Sequence, residues 1–331
     1  MTALLVAQDL AKHYHVRRPG APFGARAVLK AVDGISLRVE RGRTLGIVGE
    51  SGSGKSTLGR LLLGMEAPSA GRVTFDGVPV DAQENARWRA DRKRMQMIFQ
   101  DALGALDRRL RIGDQIAEPL DIHGIGDAAA RARKVAAALE AVGLGARLAA
   151  SYPHELSGGQ RQRAVIARAL VLEPDLIVCD EPISALDVSI QAQVVNLLSA
   201  LQRRTGVAYV FISHDLKVVH HIANEIAVMY LGRVVEYGAT ARLFRAPAHP
   251  YTKALIAAVP RIAPGGREDR VLLAGDPPSP FAVPAGCRFH TRCPIARDIC
   301  RATDPILASL PDGHRVACHF PDAAQAGGKA A

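Results

Sequence analysis

Gly49-Glu50-Ser51-Gly52-Ser53-Gly54-Lys55-Ser56 decides the fold, because it fits the phosphate-binding pattern G-x-x-x-x-G-K-[ST]. The apolar run Thr44-Leu45-Gly46-Ile47-Val48 precedes this loop and predicts a buried strand. A helix is predicted after the loop from the helical spacing of Leu58, Leu61, Leu62 and Met65. A strand, a glycine-rich loop and a helix in this order predict an α/β fold with a parallel sheet.

The chemistry of this loop is that of a nucleoside triphosphate site. Glycines allow backbone N–H groups to approach phosphate oxygens without a clash of Cβ atoms, and the helix that follows adds positive potential. Lys55 is predicted to reach the β- and γ-phosphate oxygens, and the hydroxyl of Ser56 to bind Mg²⁺. The candidate nucleotide-binding residues are therefore Gly49, Glu50, Ser51, Gly52, Ser53, Gly54, Lys55, Ser56 and Thr57.

A second, acidic motif supports this prediction. The apolar run Leu176-Ile177-Val178-Cys179 predicts a strand that is buried on both faces, and it ends in Asp180-Glu181. Asp180 is suited to orient Mg²⁺, and Glu181 to polarise the attacking water as a general base. Taken alone, the acidic pair could instead cap a helix. The phosphate-binding pattern elsewhere in the chain favours MgATP hydrolysis.

Composition limits the class of protein. With 331 residues and 48% hydrophobic content, the chain can form one large core and a smaller unit. The net charge of +10 would suit nucleic acid or anionic lipid, but the basic residues are scattered along the sequence. No apolar run approaches the roughly 20 residues of a membrane span, so the chain is expected in the cytoplasm. Its five cysteines then argue against disulfides.

Two regions are predicted along the chain. In residues 1–245, short β-branched runs alternate with helical patterns, and the stretch 126–143 is typical of a surface helix. Proline becomes dense after about residue 245, and four of the five cysteines follow. We therefore place a boundary there and predict that residues 246–331 form an extension of loops and short helices.

The segment Leu156-Ser157-Gly158-Gly159-Gln160 provides a second phosphate-binding surface. It opens a predicted helix that continues to Leu170, so backbone amides, a serine hydroxyl and two glycines lie together at the helix start. A protein with one phosphate-binding loop has no use for this surface within the same monomer. Together with the two motifs above, the segment resembles the signature sequence of the ATP-binding cassette (ABC) family.

This resemblance implies a fold and a dimer. The family fold combines a RecA-like parallel sheet, an antiparallel β subdomain and a helical signature subdomain, which would span about residues 103–165 here. The signature residues 157–160 would cap the γ-phosphate of an ATP held by another subunit. Asp187 matches the loop that crosses the interface between the two subunits.

The resemblance also implies three further nucleotide contacts. Gln100, which follows the predicted strand Met97-Ile98-Phe99, matches the glutamine that contacts Mg²⁺ and signals to the membrane subunit. His214 matches the switch histidine that contacts the γ-phosphate. Tyr14 is the candidate for the aromatic ring that stacks on adenine, with packing on the core as the alternative.

The C-terminal part narrows the resemblance to importers of dipeptides and oligopeptides. His249-Pro250-Tyr251-Thr252-Lys253-Ala254-Leu255 and Gly275-Asp276-Pro277-Pro278-Ser279-Pro280 resemble the extension of their ATPases. Over nearly its whole length the chain is similar to the second, F-type, ATPase of the pair. The stretch 101–108 departs from the family pattern, so the details of the permease contact are not carried over.

The partners implied by this resemblance are those of a peptide importer. They are a sister ATPase in a heterodimer (or a second copy in a homodimer when the chain is isolated), two membrane permeases and an extracytoplasmic peptide-binding protein, without nucleic acid. The chain would sit peripherally on the cytoplasmic face of the cell membrane and couple MgATP hydrolysis to peptide uptake.

Four cysteines in the extension leave three alternatives open. Cys287, Cys293, Cys300 and Cys318 are spaced C-x5-C-x6-C-x17-C, whereas structural zinc sites favour closer pairs. Four thiolates could hold a [4Fe–4S] cluster, which members of the resembled importer family are suspected of carrying, and neighbouring arginines would offset its charge. A zinc site and the absence of any metal are the alternatives.

Three rival functions fit some features of the same sequence. An ABC ATPase acting on nucleic acid or ribosomes would fit the net charge, but such proteins typically carry two cassettes or a long coiled-coil insertion. A non-catalytic regulatory subunit would be expected to lack Lys55, Glu181 or His214, and all three are present. Within the same family, the cargo could instead be nickel, glutathione, an antimicrobial peptide or an oligosaccharide.

Overall fold

The computed structural model describes residues 3–17, 26–101, 104–258 and 275–321. Two residues of the divergent stretch 101–108, namely 102 and 103, lie outside the described residues, as do 259–274 and 322–331 of the predicted extension. Among the described helices, none combines the length and the apolar character that a bilayer crossing requires.

The described elements alternate as an α/β protein should. The strands are β1 (Ala3–Arg17), β2 (Arg26–Glu40), β3 (Thr44–Val48), β4 (Ala70–Phe75), β5 (Val78–Pro79), β6 (Met95–Ile98), β7 (Leu176–Asp180), β8 (Ala208–Ser213), β9 (Glu225–Tyr230), β10 (Arg233–Ala239), β11 (Ala308–Ser309) and β12 (Arg315–Val316). The helices are α1 (Lys55–Leu62), α2 (Ala86–Arg94), α3 (Ile112–Ile122), α4 (Ala128–Ala141), α5 (Gly158–Leu170), α6 (Val188–Thr205), α7 (Leu216–Ile222), α8 (Thr240–Arg245), α9 (Pro250–Ala257) and α10 (Asp298–Ala302).

An eight-stranded sheet forms the centre of the molecule, in the order β11-β12-β10-β9-β3-β8-β7-β6. The neighbours of β3, which are β8 and β9, run parallel to it, as β6 and β8 run parallel to β7. Every residue of β3, β7 and β8 is buried, as their continuous apolar sequences predict. The carboxyl ends of these strands therefore meet at one edge of the sheet, where the phosphate-binding loop and the acidic pair follow.

The two faces of this sheet carry two separate cores. Val178 and Ile212 face α1 and the antiparallel sheet β2-β1-β4-β5, whereas Cys179 and Phe211 face α5, α6 and α7. Successive strand residues alternate between these faces because the side-chain period of a strand is two. Gly59 on α1 lets this helix approach β7 and β8, since a Cβ atom there would lie 2.9 Å from Ile212 Cδ1.

The helical part consists of α3, α4 and α5, which pack on one another through buried Ile116, Leu139 and Ile166. The helix predicted over 126–143 is confirmed as α4, and that predicted to end at Leu170 is confirmed as α5. Ser157 caps α5 by accepting the Gln160 N–H, while the Gln160 side chain accepts the Ser157 N–H. The signature residues thus stabilise the start of their own helix.

The predicted reach of α1 to Met65 is wrong. The helix ends at Leu62, and Gly64 then adopts φ 60°, a left-handed conformation that helices commonly use to terminate. Met65 consequently leaves the helical stripe and is exposed. The helical spacing of apolar residues continues in the sequence to Met65, but Gly64 ends the helix before that position.

The described part of the C-terminal extension is joined to the central sheet. Strand β12 pairs antiparallel with β10 through Glu236 and Val316, and β11 pairs with β12. Phe289 is buried against Tyr230 and Tyr251, with ring centroids 5.3 and 5.4 Å from its own. The residues 275–321 therefore share the core of the cassette in addition to forming loops and short helices.

Candidate functional site

The phosphate-binding loop lies between β3 and α1, where the sequence predicts it. Gly54 has φ 100°, and a Cβ atom there would lie 2.0 Å from the carbonyl oxygen of Ala31, so only glycine fits. Lys55 is buried, and its Nζ donates to the carbonyl oxygens of Gly49 and Glu50 at 2.8 and 3.0 Å. The ammonium group is thus held inside the loop, at the position where phosphate oxygens would enter.

The loop contains polar groups that could still bind a ligand. Burial lowers the pKa of Lys55 below its usual value, although the nearby charges of Glu181, Asp180 and Glu50 oppose this effect. The buried Oγ of Ser53 has no hydrogen-bond partner among the described residues. A phosphate group would supply both an acceptor for such a hydroxyl and a charge that keeps the lysine protonated.

The two predicted Mg²⁺ ligands are adjacent. Ser56 Oγ donates to Asp180 Oδ1 at 2.9 Å, although the residues are 124 positions apart in the sequence. Burial raises the pKa of the Asp180 carboxyl above its usual value, and a divalent cation at this point would favour the charged form. A hydroxyl and a carboxylate side by side fit the oxygen ligands that Mg²⁺ requires.

Glu181 brings three of the predicted residues together. Gln100 Nε2 donates to Glu181 Oε2 at 3.1 Å, and His214 Nδ1 lies 3.2 Å from the same oxygen. Glu181 itself has φ 46°, a strained conformation for a residue with a side chain, and its N–H donates to the Ile212 carbonyl. The backbone therefore presents this carboxylate at the edge of the sheet, next to Asp180.

A cavity of about 730 Å³ joins these groups. Of the predicted residues, it is lined by Tyr14, Ser51, Gly52, Gly54, Lys55, Ser56, Thr57, Gln100, Glu181 and His214. The hydroxyl of Tyr14 donates to Glu66 Oε2 at 2.8 Å, which fixes its ring at the wall of the cavity. The volume suits a nucleotide, since small-molecule sites commonly occupy about 300–1,000 Å³.

The signature residues and Asp187 lie apart from this cavity. None of the residues 157–160 lines it, and Ser157, Gly158 and Asp187 are exposed. The phosphate-binding loop and the predicted signature surface therefore do not meet within one copy.

Several residues of the cavity wall were not predicted from the sequence. Arg60 lies one helical turn beyond Ser56 on α1, and this spacing could have identified it. Residues 29–31 come from β2, and Pro280 and Val283 come from the C-terminal extension. Pro280 and Val283 have no local sequence signal, because the chain folds back on the site from more than 200 positions away.

The four cysteines of the extension influence one another electrostatically. Burial raises the pKa of Cys287 and of Cys318 to about 11, and raises that of Cys293 too, with smaller contributions from the neighbouring thiols. The Cys287 N–H donates to the Cys300 carbonyl oxygen at 2.8 Å. Across the described ranges, however, no group of three or more His, Cys, Asp or Glu side chains is arranged to hold a metal ion.

Comparisons with known proteins identify two regions. Residues 32–184 match the family model for the ABC transporter, and residues 235–300 match that for the oligopeptide/dipeptide transporter C-terminal region. The chain is 50% identical over 317 residues to a putative peptide import ATP-binding protein of Brucella ovis, covering 96% of this chain and 98% of that protein. It is 48% identical over 321 residues to a dipeptide transport ATP-binding protein of Haemophilus influenzae, covering 97% and 98%.

Solved structures agree on the fold. The ATP-binding cassette MJ0796, dimeric and bound to ADP and Pi after hydrolysis, superimposes with a TM-score of 0.63 at 26% identity, covering 71% of this chain and 98% of that one. The CbiO1 protein of Clostridium perfringens, part of an ABC transporter complex, gives a TM-score of 0.64 at 27% identity, covering 74% and 92%. The α/β fold predicted from the sequence is confirmed.

Proposed function

The chain belongs to the ABC transporter ATP-binding proteins that carry the oligopeptide/dipeptide C-terminal region, and on this premise we propose that it hydrolyses MgATP to drive peptide uptake. One observation carries the proposal: Glu181 lies within 3.2 Å of Gln100 and His214, in a cavity that Lys55 and Ser56 also line. The side chains proposed as general base, phosphate-binding ammonium and cation-binding hydroxyl thus line one nucleotide-sized cavity.

The proposed mechanism assigns each group a step. The phosphate-binding loop and Lys55 hold the β- and γ-phosphates, and Ser56 and Asp180 would hold Mg²⁺ with Gln100 nearby. When bound, the cation neutralises charge that develops on the phosphate oxygens. Glu181 accepts a proton from the attacking water, and His214, poised on Glu181 in this structure, contacts the γ-phosphate when ATP is present. Tyr14 lies at the cavity wall, where it stacks on adenine.

We propose that a second subunit completes the site. Residues 157–160 and Asp187 stand away from the cavity of their own chain, which leaves them available to another subunit. Solved cassettes similar to this chain are described as dimeric. Within the importer, the second subunit is a sister ATPase; the isolated chain would pair with a second copy.

The membrane permeases are proposed to dock in a groove of about 640 Å³ between α2, α3 and α5. Its lining includes apolar side chains that are unusually exposed for their type, namely Met65, Phe99 and Ile122 at 41, 44 and 72%. Phe99 precedes Gln100, so contact with a permease would be transmitted directly to the nucleotide site. With this contact, the subunit is proposed to lie peripherally on the cytoplasmic face of the cell membrane.

The proposed cargo is a dipeptide or oligopeptide, delivered by an extracytoplasmic binding protein. The support is the C-terminal match, together with relatives at about half identity over nearly the whole chain that are described as peptide import and dipeptide transport proteins. Nickel, glutathione, antimicrobial peptides and oligosaccharides are the alternatives. Thermal-shift screening of the cognate binding protein against these classes decides between them, because stabilisation only by a non-peptide ligand would contradict the peptide assignment.

The extension is also proposed as the site of a [4Fe–4S] cluster. The support is that Cys287, Cys293, Cys300 and Cys318 are all free cysteines in the described part of the extension, and that the Cys287 N–H donates to the Cys300 carbonyl oxygen at 2.8 Å. Their described positions do not yet form a metal-holding group, so side chains would have to reorient on binding. Iron analysis of anaerobically purified protein tests this; colourless, iron-free protein would refute the cluster, and stoichiometric zinc would replace it with the zinc alternative.

The function itself is tested with the assembled transporter in sealed lipid vesicles. MgATP should be hydrolysed, and labelled peptide should accumulate only when the binding protein and MgATP are both present. Transport without nucleotide turnover would refute the coupling. If the purified subunits neither bound nucleotide nor released phosphate, the assignment as an ATPase would be wrong.

A further inference from the structure

The side chain of Glu50, at the second position of the phosphate-binding loop, is held by the C-terminal extension. Arg292 donates from both terminal nitrogens to the two Glu50 carboxylate oxygens, at 2.8 and 3.1 Å. The residues are 242 positions apart, and only 6% of the Arg292 side chain is exposed. A partly buried, two-pronged arginine–carboxylate pair fixes both geometry and charge.

A second contact from the extension fixes the backbone of the same residue. The Tyr251 hydroxyl accepts the Glu50 N–H at 2.9 Å. Tyr251 is buried and packs against Tyr230 and Phe289, with ring centroids 4.8 and 5.4 Å away. Phe289 lies three positions before Arg292, so one compact aromatic cluster supports both contacts with the loop.

The charge of Glu50 opposes the task of the loop. This charge raises the pKa of Lys55, although burial lowers the same pKa by a larger amount. An uncompensated carboxylate this close to the lysine would repel the phosphates of ATP, and the repulsion would be strong in a partly buried site. Arg292 places a positive charge directly on this carboxylate.

The extension also forms part of the cavity wall. Pro280 and Val283 line the cavity together with Leu29 and Leu231. The same segment of chain thus contacts the nucleotide cavity at its wall and the phosphate-binding loop at Glu50.

We propose that the C-terminal extension completes the ATP site of its own chain, with Arg292 as a positioning residue that holds Glu50 and cancels its charge beside the phosphates. The proposal rests on the proposed function, since it assumes that ATP binds at this loop. It adds that nucleotide affinity depends on a residue outside the cassette motifs. Removing Arg292 should therefore weaken MgATP binding, chiefly through the carboxylate that is left behind.

A double-mutant cycle tests this with the full-length subunit, using a fluorescent ATP analogue in the presence of Mg²⁺. We expect R292M to weaken binding by about tenfold, because it leaves an unpaired carboxylate in the site. E50Q removes that carboxylate, so E50Q/R292M should bind within about threefold of E50Q alone. In the assembled transporter, R292M should raise KM for MgATP much more than it lowers kcat.

Controls separate the possible failures. R301M, a change at an exposed arginine of the same extension, should leave binding like that of the unchanged protein. Should R292M fail to fold, R292Q enters the same cycle with the same expectation. Unchanged affinity in R292M, or a loss of equal size whether or not E50Q is present, would overturn the proposal. Absence of nucleotide binding by the unchanged protein would instead refute the proposed function.

Discussion

At the scale of single residues, the most constrained group of the site is Glu181. Its φ of 46°, its place directly after β7 and its contacts with Gln100 and His214 aim one carboxylate at the cavity. Such strain is retained where the surrounding structure holds it, here through the bond of the Glu181 N–H to β8. The proposed general base is therefore a residue that the backbone itself orients.

The first prediction concerns this base. Glu181→Gln keeps the size and hydrogen-bonding capacity of the side chain but cannot accept the proton of water, so kcat should fall by about 10²–10⁴-fold. MgATP binding should change little, because the phosphate-binding loop is untouched. Phosphate release by the assembled transporter measures the effect, with the exposed Glu84→Gln as control. Near-normal turnover in Glu181→Gln would remove this residue from the role.

The second prediction concerns pH and His249, which is buried at the start of α9. Burial lowers its pKa from 6.5 to about 4, so it is neutral in the folded protein over a range where the unfolded chain is protonated. Stability is thus full above pH 6.5 and falls as the pH decreases towards 4. At a pH near 5 the loss from this group is about 2 kcal/mol.

His249→Asn isolates that contribution. Asparagine can still accept the Tyr251 N–H that His249 Nδ1 accepts, but it does not titrate. Glu236 and His314, which lie close by, are the same in both proteins. Thermal melting at a pH near 7 and near 5 should show a smaller loss for the variant. An equal loss in both proteins would mean that His249 does not supply this acid sensitivity.

At the scale of elements, the loop between β3 and α1 depends on one close backbone approach. A Cβ atom at Gly54 would meet the Ala31 carbonyl oxygen at 2.0 Å, whereas at Gly52, with φ 78°, it would meet nothing within 4 Å. A side chain at Gly52 would therefore have only the cost of a left-handed conformation, whereas a side chain at Gly54 would add the cost of a steric clash.

The third prediction uses this contrast. Gly52→Ala should lower the free energy of unfolding by about 1–2 kcal/mol, the cost of a side chain at positive φ. Gly54→Ala should cost about 1–3 kcal/mol more through the clash, and should weaken MgATP binding because the loop must move. Denaturant unfolding and nucleotide titration measure both. Equal effects of the two variants would contradict the assigned contact with Ala31.

Elements with a local signal could be predicted from the sequence, and contacts without one could not. The strands β3, β7 and β8, the helix α5 and the phosphate-binding loop follow from short patterns of apolar residues and glycines. The pairing of β12 with β10 and the contact of Arg292 with Glu50 join segments about 80 and 242 positions apart, and no periodicity encodes them. The motifs of the site could therefore be predicted from the sequence. The part of the cavity wall that the extension forms could not.

At the scale of the whole molecule, one apolar groove is the candidate contact with the membrane subunits. Ile122, 72% exposed at the end of α3, lies on it beside Phe99. Exposed apolar side chains that line a common groove favour a binding surface over chance exposure.

The fourth prediction tests this surface. Ile122→Asp should weaken binding to nanodisc-embedded permeases by at least about fivefold, because a charge would have to be desolvated at the contact. Nucleotide binding by the subunit should remain normal. Ile306→Asp is the matched control, since Ile306 is 81% exposed but lies in the extension, outside the groove. Equal permease affinity for both variants would exclude this groove as the contact.

The pairing of β12 with β10 has a consequence for a subunit that has not yet met its partners. Strand β10 is seven residues long, and left bare it would offer a ready template onto which a further chain could add a strand. The extension pairs β12 with two of these residues, Glu236 and Tyr237, and ends the sheet on β11, which is only two residues long and exposed. A newly made subunit that has not yet bound its permeases is thereby less able to pair its sheet edge with that of a second copy and polymerise.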